Sequence, residues 1–347
     1  MSHVIVAGRS IGGAAPCFVI AEAGVNHNGD VALAERLVDA AADAGADCVK
    51  FQTFRAARLV SSSAEKAPYQ QQATGQGSQQ EMLENLSLPD DAWPRLMARA
   101  SDRRILFLST PFDAESADLL LRLGVGALKL GSGELTNHLL LAHVAGAGVP
   151  LLLSTGMASL DDVAAARDLV VAAGAPLALF HCVSSYPAAA SDCNLRAMAS
   201  MRAAFQCPVG FSDHTLGVDM GLAAVAAGAE LYEKHLTLSR SMAGPDHRAS
   251  LEPEEMKRLI VALRGVEAAL GDGDKRPRPA ELEVRRVARR SLFWTAKLRA
   301  GDVVVAANIE ALRPATGIEP TRWRDVVGRV VARDVDAGRL IAWEDLR

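Results

Sequence analysis

Residues 150–182, PLLLSTGMASLDDVAAARDLVVAAGAPLALFHC, hold the unit from which the fold follows. Two apolar runs, PLLLST (150–155) and LALFHC (177–182), have the length of buried strands, and they enclose SLDDVAAARDLVVAAG (159–174), whose alanine and leucine spacing has helical period. The AGAP stretch places Gly174 just before the second run, where it can end the helix in a left-handed turn.

The same unit recurs along the chain. Apolar runs CFVIAE (17–22), DCVKFQ (47–52), ILFLST (105–110), ALKLGS (127–132), PVGFSD (208–213) and ELYEKH (230–235) bring the total to eight, and DVALAERLVDAAADAG (30–45) is a second clear helix. AGAD, LGVGA, AGVP and AGAE stand before strands as AGAP does. Strand then helix, repeated eight times, predicts an α/β fold, a (β/α)8 TIM barrel, over residues 1–280. Residues 53–89, with SSS and QQQATGQGSQQ, break the rhythm and read as a long loop on the active face, either a lid or a solvated insertion. After GDGDKRPRPAE (271–281) the pattern becomes short strands and turns. We expect a linker at 281–290 and a small β-rich domain at 291–347.

The composition narrows the function classes. A net charge of −4 without long runs of one sign offers no footprint for nucleic acid or an anionic membrane, so small molecules are the expected partners. Five cysteines (Cys17, Cys48, Cys182, Cys193, Cys207) are an odd number with no C-x-x-C pair, which points to reduced thiols and a cytoplasmic location. The opening residues lack a basic segment ahead of a long apolar run, and we expect neither export nor membrane insertion.

On a barrel, side chains at the C-terminal strand ends converge on one mouth. Here those ends carry Glu22, Lys50 and Gln52, Thr110, Lys129 with Ser132 and Glu134, Ser154 and Thr155, His181 and Ser184, Ser212 with Asp213 and His214, and Glu233 with Lys234 and His235. Singly, each lysine reads as a surface charge and each histidine as a hydrogen-bonded core residue. Together they do not, because Lys50 and Lys129 follow apolar strands, where a buried ammonium needs an anionic partner. The hydroxyls, with Gly131, Gly133 and Gly156 allowing close backbone approach, complete the equipment for a phosphorylated carboxylic acid. His214 and His235 end adjacent strands, and with a carboxylate they could hold a divalent metal; a plain hydrogen-bonding pair is the equal alternative. GPDHRAS (244–250) adds Asp246 and His247, with Gly-Pro setting a turn that can aim Asp246 inward.

AEAGVNHNGD, KFQTF, STPFD, KLGSGELTN, LSTGM, GFSDHTLG, EKHLT and GPDHRASLEP resemble, in order and spacing, the motifs of bacterial sialic acid synthases and their legionaminic and pseudaminic relatives, from residue 17 to the C-terminus. The tail Ser291–Arg347 resembles the antifreeze-like (SAF, β-clip) domain of that family, which in domain-swapped homodimers reaches over the partner's barrel. The resemblance implies a transferase that condenses phosphoenolpyruvate with N-acetylmannosamine to N-acetylneuraminate, releasing phosphate by C–O cleavage; 2,4-diacetamido-2,4,6-trideoxymannose, giving a legionaminate, is the alternative acceptor. It implies phosphoenolpyruvate on Lys50, Thr110, Lys129, Ser132, Ser154, Ser184 and Ser212, and a divalent metal (manganese, with magnesium or cobalt as alternatives) on His214 and His235. Glu22 and Asp246 are the candidates for proton transfer, with Gln52, Glu134, Tyr186, Asp246 and Arg313 as sugar contacts, the arginine from a second chain. Two departures from the family pattern stand out: Ser184 in HCVSSYP where asparagine is common, and KLGSGE for the commoner KLPSGE. A Schiff-base aldolase using Lys129 and a non-catalytic sugar-binding protein are the competing readings.

Overall fold

The computed structural model describes residues 3–347, apart from the side chain of Tyr69. The chain divides into two units, Met1–Gly271 and Asp272–Arg347. In the first, a short antiparallel hairpin, β1 (Val4–Val6) and β2 (Arg9–Ile11), precedes eight parallel strands. These are β3 (Phe18–Gly24), β4 (Cys48–Thr53), β5 (Leu106–Pro111), β6 (Leu128–Leu130), β7 (Leu151–Ser154), β8 (Leu177–Cys182), β9 (Val209–Asp213) and β10 (Leu231–His235). Each of the eight apolar runs is a strand. Their hydrogen-bonded order is β5-β4-β3-β10-β9-β8-β7-β6, and β5 and β6 lie beside each other, so the sheet curls into the expected barrel.

The strands sort their side chains by alternation. Val19, Val49, Phe51, Leu151, Leu153, Val209, Phe211 and Tyr232 point out and share one core with the surrounding helices, through residues such as Leu37, Leu120, Leu141, Val163 and Leu263. Phe18, Ile20, Cys48, Leu108, Leu152, Phe180 and Leu231 point inward, and the hairpin places Val4, Val6 and Ile11 against them at the N-terminal end. The barrel interior is thus apolar below and polar above. The sequence reading did not anticipate the hairpin, whose three-residue strands are too short to carry a period.

Helices begin and end as the local chemistry dictates. Asp30 accepts from the backbone N–H groups of Ala32 and Leu33 to open Val31–Ala44, and Gly45 closes it at φ 84°. Ser159 and Asp162 form a reciprocal capping box at the start of Leu160–Ala172. Gly45, Gly124, Gly148, Gly174 and Gly228, the glycines anticipated before strands, all take positive φ, between 71° and 91°.

The 53–89 segment is not a structureless loop. It folds into three short helices, Ala56–Leu59, Pro68–Thr74 and Gln79–Leu86. Pro68 occupies a first-turn position, and Ser78 and Glu81 cap the third helix reciprocally. Met82, Leu83 and Leu86 then bury against Val25, Phe54 and Ala56. Helices of seven or eight residues are marginal alone, and this burial and capping hold them.

In the second unit, β11 (Ser291–Trp294) pairs antiparallel with β12 (Ile309–Leu312), and isolated bridges such as Leu298–Val335 and Val303–Val330 tie the remaining turns together. Leu292, Trp294, Val304, Ile318, Val331 and Ile341 form its core. The stretch expected as a linker at 281–290 contains the helix Leu282–Ala288 and falls inside this unit. All five cysteines are unpaired, and no described helix is long and apolar enough to cross a membrane.

Candidate active site

The polar half of the barrel interior is organised around two lysines and two carboxylates. Lys50 Nζ lies 2.8 Å from Glu22 Oε2 and 3.7 Å from Glu233 Oε2, and Lys129 Nζ lies 3.9 Å from Glu233 Oε1. All four side chains are buried. Burial raises the Glu22 carboxyl to about 7 against the pull of Lys50, with the neighbouring Glu233 charge pushing the same way as burial. Burial acts upward on Glu233 as well, but Lys129, Lys50 and a 2.9 Å hydrogen bond from Ser212 Oγ override it and hold this carboxylate low. Burial lowers Lys129, whereas Glu22 and Glu233 overcome the same effect at Lys50 and raise it. The environments therefore split the two carboxylates into one that is fixed as an anion and one able to exchange a proton near neutral pH.

A cavity of about 250 Å3 opens above this cluster. Lys50, Thr110, Lys129, Ser132, Ser154, Ser184 and Ser212 all line it, together with Glu22, Gln52, Tyr186, His214 and His235. Lys50 Nζ donates to Thr110 Oγ1 at 2.9 Å, and Lys129 Nζ donates to the Leu130 carbonyl at 3.1 Å and to Ser154 Oγ. Gly156 donates its N–H to Ser132 Oγ at 2.9 Å, and a Cβ there would stand 2.3 Å from Ser184 Oγ, so a larger residue would displace the hydroxyl from the cavity wall. Two ammonium groups and a ring of hydroxyls around so small a volume are the donors that a bound anion would need.

A second cavity, about 290 Å3, shares Gln52, Phe112, Tyr186 and His235 with the first. Glu134 and Asp246 face it, and Gln70, Gln79, Met82, Leu83 and Leu86 of the short helices form its outer wall. Asp246 is buried and lines this cavity beside Pro245, so it does face inward, and burial alone raises its carboxyl to about 6. Glu134 is also raised by burial, while Asn137 Nδ2 donates to its Oε2 at 2.7 Å.

His235 lines both cavities and His214 the first, with ring centroids 5.9 Å apart. Burial holds His235 down to about 3 and lowers His214, so both imidazoles are neutral and keep a lone pair. His214 Nδ1 donates to the Val183 carbonyl at 2.7 Å, which leaves Nε2 as the lone-pair nitrogen, facing Tyr186 Oη at 3.1 Å. His235 Nδ1 is buried with no hydrogen-bond partner among the described residues. Neutral, oriented imidazoles of this kind fit a divalent ion, although no cluster of three or more His, Cys, Asp or Glu ligands occurs among the described residues.

Some strand-end residues belong to the scaffold. Asp213 and Lys234 lie on the outward parity and pair at 2.9 Å, with Tyr232 Oη and Thr215 also on the carboxylate. His181 bonds the Cys193 carbonyl, Thr155 Oγ1 the Phe180 carbonyl, and His247 bonds Thr237 and Asn28. Arg313 lies exposed in the second unit. Sequence reasoning gave no role to Glu233, the counter-ion of both lysines, nor to Gln70 and Gln79. The first was visible, since alternation through Leu231, Glu233 and His235 puts all three inside the barrel.

Residues 37–275 match the NeuB family and residues 289–347 match the SAF domain. The chain is 45% identical over 341 residues to the N,N'-diacetyllegionaminic acid synthase of Legionella pneumophila, covering 96% of both chains. It is 43% identical over 327 residues to the enzyme of the same name from Campylobacter jejuni, covering 93% of this chain and 98% of that one. The crystal structure of N-acetylneuraminic acid synthetase from Leptospira borgpetersenii, in complex with citrate, superposes with a TM-score of 0.73 at 34% identity, covering 82% of this chain and 95% of that one. A barrel with this polar interior, matched by the family model over most of its length and followed by a SAF domain, belongs to the NeuB family.

Proposed function

We propose that the protein is a cytoplasmic phosphoenolpyruvate-dependent nonulosonic acid synthase whose acceptor is 2,4-diacetamido-2,4,6-trideoxymannose, the substrate that yields N,N'-diacetyllegionaminic acid. The observation that carries the reaction class is the small cavity in which Lys50 and Lys129, already buried, meet five hydroxyl side chains at strand ends. The acceptor follows from similarity to two legionaminic acid synthases over nearly the whole chain. N-acetylmannosamine, the other acceptor expected from sequence, is secondary on that ground.

In the reaction, C3 of phosphoenolpyruvate bonds to the aldehyde carbon of the open-chain sugar while the aldehyde oxygen gains a proton. Water adds to C2, and the C2–O bond breaks, so the bridging oxygen leaves with phosphate and C2 becomes the ketone. Lys50 and Lys129 hold the phosphate and carboxylate and stabilise the charge that leaves. Glu22, with a pKa near 7 and its Oε1 accepting from Gln52 at 3.1 Å, gives a proton to the aldehyde oxygen or takes one from the attacking water in this reading. Asp246 and Glu134 hold the sugar hydroxyls from the other side. His214 and His235 would hold a divalent ion, manganese by preference with magnesium or cobalt as substitutes; when bound it would supply Lewis acidity toward the aldehyde oxygen. Arg313 of the partner subunit in a homodimer completes the sugar site in this reading.

Phosphoenolpyruvate isotopically labelled at its bridging oxygen tests the reaction class. Label in the released phosphate is the expected result, and label retained in the keto acid would contradict it.

A further inference from the structure

The helices inserted after β4 are more than a cover. Gln70 and Gln79 line the second cavity but not the first, as do Met82, Leu83 and Leu86. Gln70 Oε1 accepts the backbone N–H of Ala67 at 2.9 Å, which fixes which end of that amide is oxygen. Gln79 Nε2 donates to the same oxygen at 3.4 Å. Gln70 Nε2 and Gln79 Oε1 therefore remain, with no hydrogen bond to any described residue. One N–H donor beside one C=O acceptor is the complement of a secondary amide.

The acceptor's orientation follows from the shared wall. Its aldehyde carbon must meet phosphoenolpyruvate where the cavities join, at Gln52, Phe112, Tyr186 and His235. The C2 substituent then stays near that junction, and C4 and C6 extend toward the inserted helices. We propose that the Gln70–Gln79 pair reads an acetamido group at C4 of the acceptor, with the methyl groups of that side facing Met82, Leu83 and Leu86. With the C4 amide occupying the two glutamines, a hydroxymethyl at C6 would bring a hydroxyl against Met82, Leu83 and Leu86, which offer it no good hydrogen-bond partner. This rests on the synthase reading of the two cavities and assigns the selectivity within it.

The test compares kcat/KM of wild type, Gln70→Ala and Gln79→Ala for three acceptors: 2,4-diacetamido-2,4,6-trideoxymannose, 2-acetamido-2,6-dideoxymannose and N-acetylmannosamine. Loss of a hydrogen bond to the C4 amide should cost about tenfold with the diacetamido sugar. Turnover of the two sugars lacking that amide should change little, and the KM for phosphoenolpyruvate should not move. Because Gln70 also caps its helix, Gln79→Ala is the deciding variant, and melting temperatures check both. An equal fall with all three sugars, no fall with any, or a wild-type preference for N-acetylmannosamine would overturn the assignment while leaving the phosphoenolpyruvate-dependent reaction intact, and the last would change the acceptor as well. A wild-type protein that turns over none of the three would overturn both.

Discussion

Lys50 Nζ and Glu22 Oε2 form a 2.8 Å ion pair inside the barrel, with less than one-twentieth of either side chain exposed. Such a pair is expensive to build and far more expensive to break, because removing one partner strands a charge away from water. Glu233 completes the arrangement by serving both Lys50 and Lys129. An incoming anion would compete with these internal carboxylates for the two lysines.

Glu233→Gln should lower the stability of the ligand-free protein by about 3–5 kcal/mol, the usual cost of leaving buried charges short of a partner. Phosphoenolpyruvate or inorganic phosphate should then raise the melting temperature of the variant more than that of wild type. Equal ligand-induced shifts in the two proteins would show that Glu233 is not the counter-ion the anion replaces.

Lys234→Met should separate scaffold from site. Lys234 and Asp213 are wholly buried on the outward face, so the variant should lose about 3–5 kcal/mol of stability. Whatever folds should bind phosphoenolpyruvate with unchanged affinity by calorimetry. Lys129→Met should do the reverse, abolishing binding of the phospho-acid at millimolar concentration while losing less stability than Lys234→Met, because burial already penalises that ammonium and Lys50 still faces Glu233.

Asp246→Asn carries a pH signature. Burial raises the carboxyl from 3.8 to about 6, so its contribution to stability is fully present below the unfolded value and is lost as pH rises through the folded one. In ligand-free, chelator-treated protein the variant should match wild type near the lower value and gain up to about 3 kcal/mol over it well above the higher one. A gain that does not grow with pH would contradict a buried, unpaired carboxylate at this position.

Subunit mixing tests the shared site. Glu22→Ala and Arg313→Ala homodimers should each be inactive, and exchange of their subunits should restore about a quarter of wild-type activity, since half the dimers would then hold one intact site. No recovery after demonstrated exchange would place Arg313 outside the active site.

The barrel was legible because a buried parallel strand must be an apolar run and its helix must end before the next one, and each of the eight runs obeys both constraints. The gathering of Lys50, Lys129 and the hydroxyls at one mouth was legible for a related reason: lysines at the ends of apolar strands leave few structural explanations. What escaped reading depends on tertiary contact. The glutamine-rich segment does carry one local signal, the Ser-x-x-Glu box at Ser78–Glu81, but the burial of Met82, Leu83 and Leu86 that holds the helix is tertiary and shows no apolar period in the sequence. The split between Glu22 and Glu233 depends on which lysine each faces, and only the folded register brings Glu233 between two of them.

The most direct test of the central claim is phosphate release from phosphoenolpyruvate by chelator-stripped protein, with and without added manganese, in the presence of 2,4-diacetamido-2,4,6-trideoxymannose or N-acetylmannosamine. The account predicts sugar-dependent, metal-dependent release, faster with the diacetamido sugar, and loss of release in Lys129→Met. Release that needs no sugar, or none with any sugar and metal, would contradict it.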